Sequence, residues 1–315
     1  MSKPSAHASG DIPLRALDAL PFADRARRTL ETGVLDLVSG GGAPRLDYAQ
    51  PPGDPGLFGP DSVCWRVHAD FTSMLVGGVA ALMLQMLHPL ALAGVLDHSD
   101  FRRDILGRLR RTATFVAGTT YGSRHDAESL IARVRRIHRA VVGTAPDGRP
   151  YAADDPALLT WIHVAEVHCF LQGYLRYMNG ALSVADQDRY YDETALVAEQ
   201  LGAREIPRSS AAVASYLEAM RPQLSVSERT LMVSRLLLDA PSPSAVTRPF
   251  GKLYVLAGID LLPDWARRLH GFSTLAPLRG PLVEAGVRNV APLLRWAMRE
   301  GAARNARRRM GTLGE

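Results

Sequence analysis

The sequence predicts an all-α protein folded as one globular, multi-helix domain. Three observations predict it. From Asp61 onward, apolar residues recur at helical spacing. No run of alternating β-branched residues is long enough to build a sheet. Helix starts and stops punctuate the chain at intervals, as Ser or Asp caps, glycine ends and prolines.

Taken in order, residues 1–50 read as an N-terminal extension. Its amphipathic helices lie over Leu14 to Leu37 and stop at Gly40-Gly41-Gly42. Gln50 to Pro60 is a Pro/Gly-rich loop. Met74 to Leu96 contains no Asp, Glu, Lys or Arg and is long enough to span a bilayer. Gly77, Gly78, Gln85, His88 and Pro89 lower its hydrophobicity, and acids flank it at Asp70, Asp97 and Asp100. The expectation is therefore a buried core helix, bent or broken near Pro89 because proline removes a backbone donor. Gly77-Gly78 is expected to serve close helix packing.

The next helix is expected over Asp104 to Val116, with Ile105, Leu109, Thr112 and Val116 on one face and Gly118 as its stop. Ser123 and Asp126 resemble a capping box. That helix is expected to run to Gly143, with Leu130, Val134, Ile137 and Val141 as its core stripe and His138 at the stripe's border. Gly143 to Asp155 reads as a polar loop, and Asp154-Asp155-Pro156 begins a long helix. On that helix Trp161, Ala165, His168, Gln172 and Leu175 share one face, and His163, Val167, Phe170 and Tyr174 an adjoining one. Prolines divide the remainder into shorter helices, clearest over Leu231 to Leu238 and Pro281 to Arg299. The domain is expected to span 51–300, followed by a frayed basic tail over 301–315.

Composition narrows the function. Hydrophobic content of 47% and charged content of 22% suit a globular chain. Two cysteines are too few for a disulfide framework, which suggests a reducing, cytoplasmic setting. The net charge of +5 comes from arginine clusters that lack interleaved aromatic residues, so nucleic-acid binding is not expected. Glycine-rich phosphate loops, H-E-x-x-H helices, G-x-S-x-G elbows and paired Glu-x-x-His motifs are all missing from the sequence.

Four of nine histidines, His88, His138, His163 and His168, lie in apolar helical segments. A histidine removed from water must satisfy two ring nitrogens, so it needs a hydrogen-bond partner or a metal. Arg108, Arg111 and Thr112 stand at i, i+3 and i+4, on one helix face. An apolar slot between helices, one axial nitrogen and nearby polar groups together suit haem.

The chain also resembles a known family on the following landmarks, in this order: Gly53-Asp54-Pro55-Gly56, Gln85-x-x-His88-Pro89, Arg108-x-x-Arg111-Thr112, Tyr121-Gly122, Ile137-His138-x-x-x-x-Gly143, Tyr151-x-Ala153-x-Asp155-Pro156 and Trp161-Ile162-His163. They resemble the oxygenase family that includes the mycophenolic-acid pathway oxygenase and the bacterial latex-clearing proteins. The resemblance covers about Gly53 to Leu201. It implies a globin-like helical fold, b-type haem, and dioxygen chemistry on unsaturated carbon chains. It also implies His138 as the proximal iron ligand, with Arg108 and Thr112 on the distal side. Latex-clearing proteins carry a distal lysine where this chain has Arg111. Arginine is permanently charged and a poor iron ligand, so an open or water-bound sixth site is expected. The acid expected upstream is not evident, and His88 occupies its region.

The expected function is thus that of a haem-b-dependent oxygenase acting with dioxygen on a small or medium apolar metabolite. Arg108, Arg111 and Thr112 are the candidate catalytic groups, with His138, Arg108, Trp161, His163 and His88 around the cofactor. The alternatives are a non-catalytic haem- or lipid-binding protein of the same fold, or a cofactor-free all-α interaction protein.

Overall fold

The computed structural model describes residues 46–99, 104–178, 181–239, 248–272 and 276–312, with scattered helical positions between 25 and 32. The expected helices over Leu14 to Leu37, their glycine stop, Arg102, Arg103 and Pro241-Ser242-Pro243 lie largely or wholly outside these residues. The described chain is helical throughout, apart from one two-stranded hairpin.

The short helix α1 (Val63–His68) leads into α2 (Phe71–Gln85), which Asp70 caps by accepting from the Ser73 amide at 2.8 Å. Ten of the fifteen residues of α2 are buried, on all sides of the helix, as its lack of charge predicts. The chain then turns by 106° into α3 (Pro89–His98). Pro89 occupies the first helical position, where a missing N–H does no harm. Among the described residues no single helix is long and apolar enough to cross a membrane; the bent pair α2–α3 passes that test by length and composition.

Two antiparallel neighbours follow, α4 (Ile105–Tyr121) and α5 (Arg124–Arg139). Helix α4 does not stop at Gly118. It continues to Tyr121, and a Cβ at Gly118 would meet Leu130 Cδ1 at 2.3 Å, so this glycine serves packing against α5. Ser123 caps α5 by accepting from the Asp126 amide at 3.1 Å. The helix ends at Arg139 and not at Gly143, and its buried face is Ala127 and Ile131, with Leu130, Val134 and His138 half-buried. Ile137 is 51% exposed, a correction to the expected core stripe. Ending the helix early also removes Val141 from it.

The expected polar loop contains a hairpin, β1 (Val142–Thr144) and β2 (Pro150–Ala152), with Gly143 opposite Tyr151. Strands of three residues that include glycine and proline leave no periodic signal. Helix α6 (Pro156–Tyr177) starts where expected, with the Asp155 carboxylate accepting from the Ala157 and Leu158 amides.

Helices α2 and α6 form the centre of the molecule. A Cβ added at Gly77 would stand 2.8 Å from the Cys169 carbonyl oxygen. One at Gly173 would stand 2.6 Å from the Ser73 carbonyl oxygen. The two backbones therefore touch at glycines on both sides, as expected for Gly77. Around this pair lie α7 (Val184–Leu201), α8 (Ser210–Met220), α9 (Glu228–Leu238), α10 (Arg248–Leu261), α11 (Asp264–Leu269) and α12 (Ala276–Ala297). Helix α12 begins before Pro281 and contains both Pro281 and Pro292. Arg295 of α12 donates to the buried Asp70 carboxylate at 2.6 Å and anchors α12 to the start of α2.

The basic tail is also ordered. Helix α13 (Ala302–Arg309) buries Arg309, whose guanidinium donates to the carbonyls of Asp54, Tyr48 and Gly122. Gly56, at φ +68°, packs against the same Gly122 carbonyl, where a Cβ would stand at 2.5 Å. The Gly53-Asp54-Pro55-Gly56 landmark is thus a clamp that holds the C-terminal helix against the start of α5.

The α2–α6 contact predicts different costs at adjacent glycines. Gly77→Ala should destabilise the protein by about 1–3 kcal/mol, since backbone must move to admit the methyl group. At Gly78 the nearest atom is Phe170 Cε1 at 3.8 Å, an ordinary contact. Gly78→Ala should therefore be neutral or stabilising by up to about 1 kcal/mol through its helix propensity. Urea denaturation of the two variants checks this, and equal losses would contradict the crossing geometry.

Candidate functional site

His138 lies on the last turn of α5 and is half-buried. Its Nδ1 is enclosed with no hydrogen-bond partner. Burial lowers its pKa, opposed by Asp154 and assisted by the positive charge of Arg108. The imidazole is therefore neutral at physiological pH and keeps a nitrogen lone pair. Arg108 comes from the first turns of α4, and burial and the neighbouring Arg111 pull its pKa down to about 10. Three segments thus meet here: the start of α4, the end of α5 and the link from the hairpin to α6.

Thr112 lies one turn beyond Arg108 and is exposed. Arg111 is directed away: its side chain is 60% exposed and lies 3.6 Å from Asp104. Its charge still reaches Arg108 on the same helix, while its guanidinium faces the acidic N-cap of that helix.

His88 and Trp161 form a different unit. His88 caps α3 without a side-chain capping bond and is buried, with Nδ1 unpartnered. Burial and Arg149 bring its pKa down to about 4, against the pull of Asp155. Its ring lies 6.3 Å from that of Trp161. The Trp161 indole donates to the Gln85 carbonyl at 3.3 Å, and the Gln85 amide donates to the Ile162 carbonyl at 3.1 Å. The first of these bonds satisfies a carbonyl freed where α2 breaks, and the second ties the Gln85 side chain to the backbone of α6. Trp161 is 0% exposed and has no surface left for a ligand. Its expected place at the cofactor wall is therefore replaced by a structural one, tying two of the sequence landmarks together.

Helix α6 supplies a further set. His163, Glu166 and His168 are only half-buried by surface, yet desolvation dominates the ionisation of each. Burial holds His163 and His168 down at about 4, with Arg208 adding to the effect at His163, and raises Glu166 to about 7. At about 100° per residue Glu166 and His168 face different sides of α6. His168 Nδ1 lies 3.5 Å from the Tyr191 hydroxyl.

Sequence reasoning missed Glu166 as a desolvated group, and it missed His68. His68 Nδ1 bonds the Thr120 hydroxyl at 2.9 Å and Nε2 bonds the Tyr190 hydroxyl at 2.9 Å, while Phe170 meets the ring edge at 5.4 Å. Burial takes the pKa of His68 down to about 3. The signal was available, since His68 follows the apolar run Val63-Cys64-Trp65 on α1. Cys64 and Cys169 are buried free thiols that burial pushes far above the usual range, so neither is a nucleophile.

Among the described residues no three His, Cys, Asp or Glu side chains converge to hold a metal ion. The donor set is instead one neutral imidazole beside a guanidinium.

Residues 65–298 match the family described as ER-bound oxygenase mpaB/B'/rubber oxygenase, catalytic domain. The chain belongs to this oxygenase family. The matched span covers roughly three-quarters of the chain and all the groups just described except Cys64. It reaches well beyond Leu201, where the resemblance read from the sequence ended, and it leaves out the Gly53–Gly56 clamp and α13. No curated protein and no solved structure matches the chain. Membership in an oxygenase family implies dioxygen and an organic substrate.

Glu166 carries the clearest pH signature of these groups. Its folded pKa is raised from 4.5 to about 7, so its neutral form favours the fold below about pH 4.5 and this contribution is lost as pH rises through 7. Glu166→Gln should gain on the order of 1–3 kcal/mol relative to the wild type between about pH 5 and pH 8. Stability curves of the two proteins that stay parallel across this window would contradict the buried placement.

Proposed function

We propose that the chain is a haem-b-dependent oxygenase acting with dioxygen on a small or medium apolar organic molecule. The observation that carries this reading is His138: a neutral, half-buried imidazole beside Arg108, in a chain of an oxygenase family. These residues fit haem. A porphyrin brings four nitrogens of its own and asks the protein for one axial nitrogen, whereas iron held by protein alone needs a cluster of ligands. His138 would be the iron ligand, and Arg108 would hold a propionate or face the reacting oxygen.

When bound, haem supplies the one-electron and dioxygen chemistry that no side chain offers. The chain's own residues do the rest. His138 stays unprotonated because burial opposes its charge. Arg108 and Thr112, one turn apart, provide N–H and O–H donors for negative charge developing on a substrate oxygen. Glu166, poised near neutrality, can hold or release a proton at its carboxyl oxygen. The histidines of α6 remain uncharged, which keeps their surroundings suited to an apolar molecule.

Three substitutions test the assignment. His138→Ala should lose stoichiometric haem while its helical circular dichroism stays largely intact. Thr112→Val should keep haem, because valine nearly matches threonine in shape, and slow oxygen consumption by about 100-fold or more. Arg108→Leu should lose activity, and haem with it if the guanidinium holds a propionate. Full haem retention and an unchanged spectrum in His138→Ala would move the ligand to His163 or His88.

A further inference from the structure

The C-terminal half of α5 carries charge that the protein leaves unbalanced. Arg133, Arg135, Arg136 and Arg139 are all exposed, and none forms an ion pair or hydrogen bond among the described residues. At about 100° per residue they cover less than half of the helix circumference, on the side opposite the buried Ala127 and Ile131. Elsewhere surface arginines are typically matched. Arg66 pairs with Asp186, Arg124 with Glu128, Arg189 with Glu193, Arg208 with Asp192 and Glu199, and Arg304 and Arg308 with Glu300.

Two exposed aliphatic side chains lie close to this basic face in sequence. Ile137 is 51% exposed and Val142, just past the end of the helix, is 55% exposed. Exposed aliphatic groups near unpaired arginines suit one partner above others. Arginine stems bury along apolar surface while their heads meet phosphate or carboxylate, and aliphatic tips gain by entering the headgroup–acyl boundary. A nucleic acid would reward aromatic or hydrogen-bonding groups in place of Ile137 and Val142.

We propose that the outward face of α5, with Ile137 and Val142, is a docking surface for anionic lipid bilayers. The interaction is independent of haem. It rests on the oxygenase reading only in that an apolar substrate would be drawn from the same bilayer on which this helix docks.

Vesicle co-sedimentation of the purified full chain, without added haem, tests this. Phosphatidylcholine vesicles containing about 30% phosphatidylserine should bind the protein at least ten-fold more tightly than pure phosphatidylcholine at about 0.1 M salt, and the difference should shrink at about 0.5 M. Replacing Arg133, Arg135, Arg136 and Arg139 together with Gln should weaken that binding by about 100-fold or more. Ile137→Ser with Val142→Ser should lower the binding that survives high salt. All six positions are at the surface, so the helical circular dichroism should not change. Equal binding to both vesicle types, or an undiminished affinity of the glutamine variant, would overturn the proposal. So would binding to duplex DNA, lost in the same variant, with no binding to vesicles. None of these outcomes bears on haem content, so the docking surface and the haem reading fail separately.

Discussion

The contact between α2 and α6 is the constraint on which the rest of the structure depends. Gly77 and Gly173 let the two backbones meet, and a methyl group at either would stand under 3 Å from a carbonyl oxygen of the other helix. Helix α2 is buried on most of its circumference, and it breaks at Gln85 to Pro89, where Pro89 starts the next helix. Helix α6 spends one side on this contact. Its remaining surface bears the half-buried His163, Glu166 and His168. The packing centre and the candidate site are therefore two sides of one helix.

The electrostatics follow from that arrangement. Desolvation is the first cause of the shift at the interior histidines, at Glu166 and at both thiols: it lowers His68, His88, His138, His163 and His168 and raises Glu166, Cys64 and Cys169. These groups are thus neutral, while the buried charges of Asp70, Asp260 and Arg309 are each met by an arginine or by backbone carbonyls. Arg108 adds a further cation, and its charge acts on His138 of α5. Surroundings of this kind tolerate an apolar molecule and make a single nearby cation effective, because little water screens it.

Much of this was legible in the sequence. The charge-free run from Met74 to Leu96 specified a buried helix, and Pro89 specified its break. Asp155-Pro156 marked the start of α6, and the family landmarks fixed the oxygenase assignment. What was not legible depends on contacts across the chain. Gly118 looked like a helix stop because its true role, room for Leu130, belongs to a different helix. Trp161 looked like a cofactor wall because nothing local shows its bond to the Gln85 carbonyl. The arginines of the last helix looked like a solvated tail, since the three carbonyls that Arg309 reaches lie far away in sequence. Glu166 is one acid among many until its depth in the fold is known.

The central claim is that a neutral His138 beside Arg108 holds one haem. Titrating the purified protein with haemin while recording its absorption spectrum tests this most directly. The account predicts a sharpened Soret band that saturates at one haem per chain and shifts when imidazole or carbon monoxide is added. A spectrum that remains that of free haemin at every ratio would contradict it.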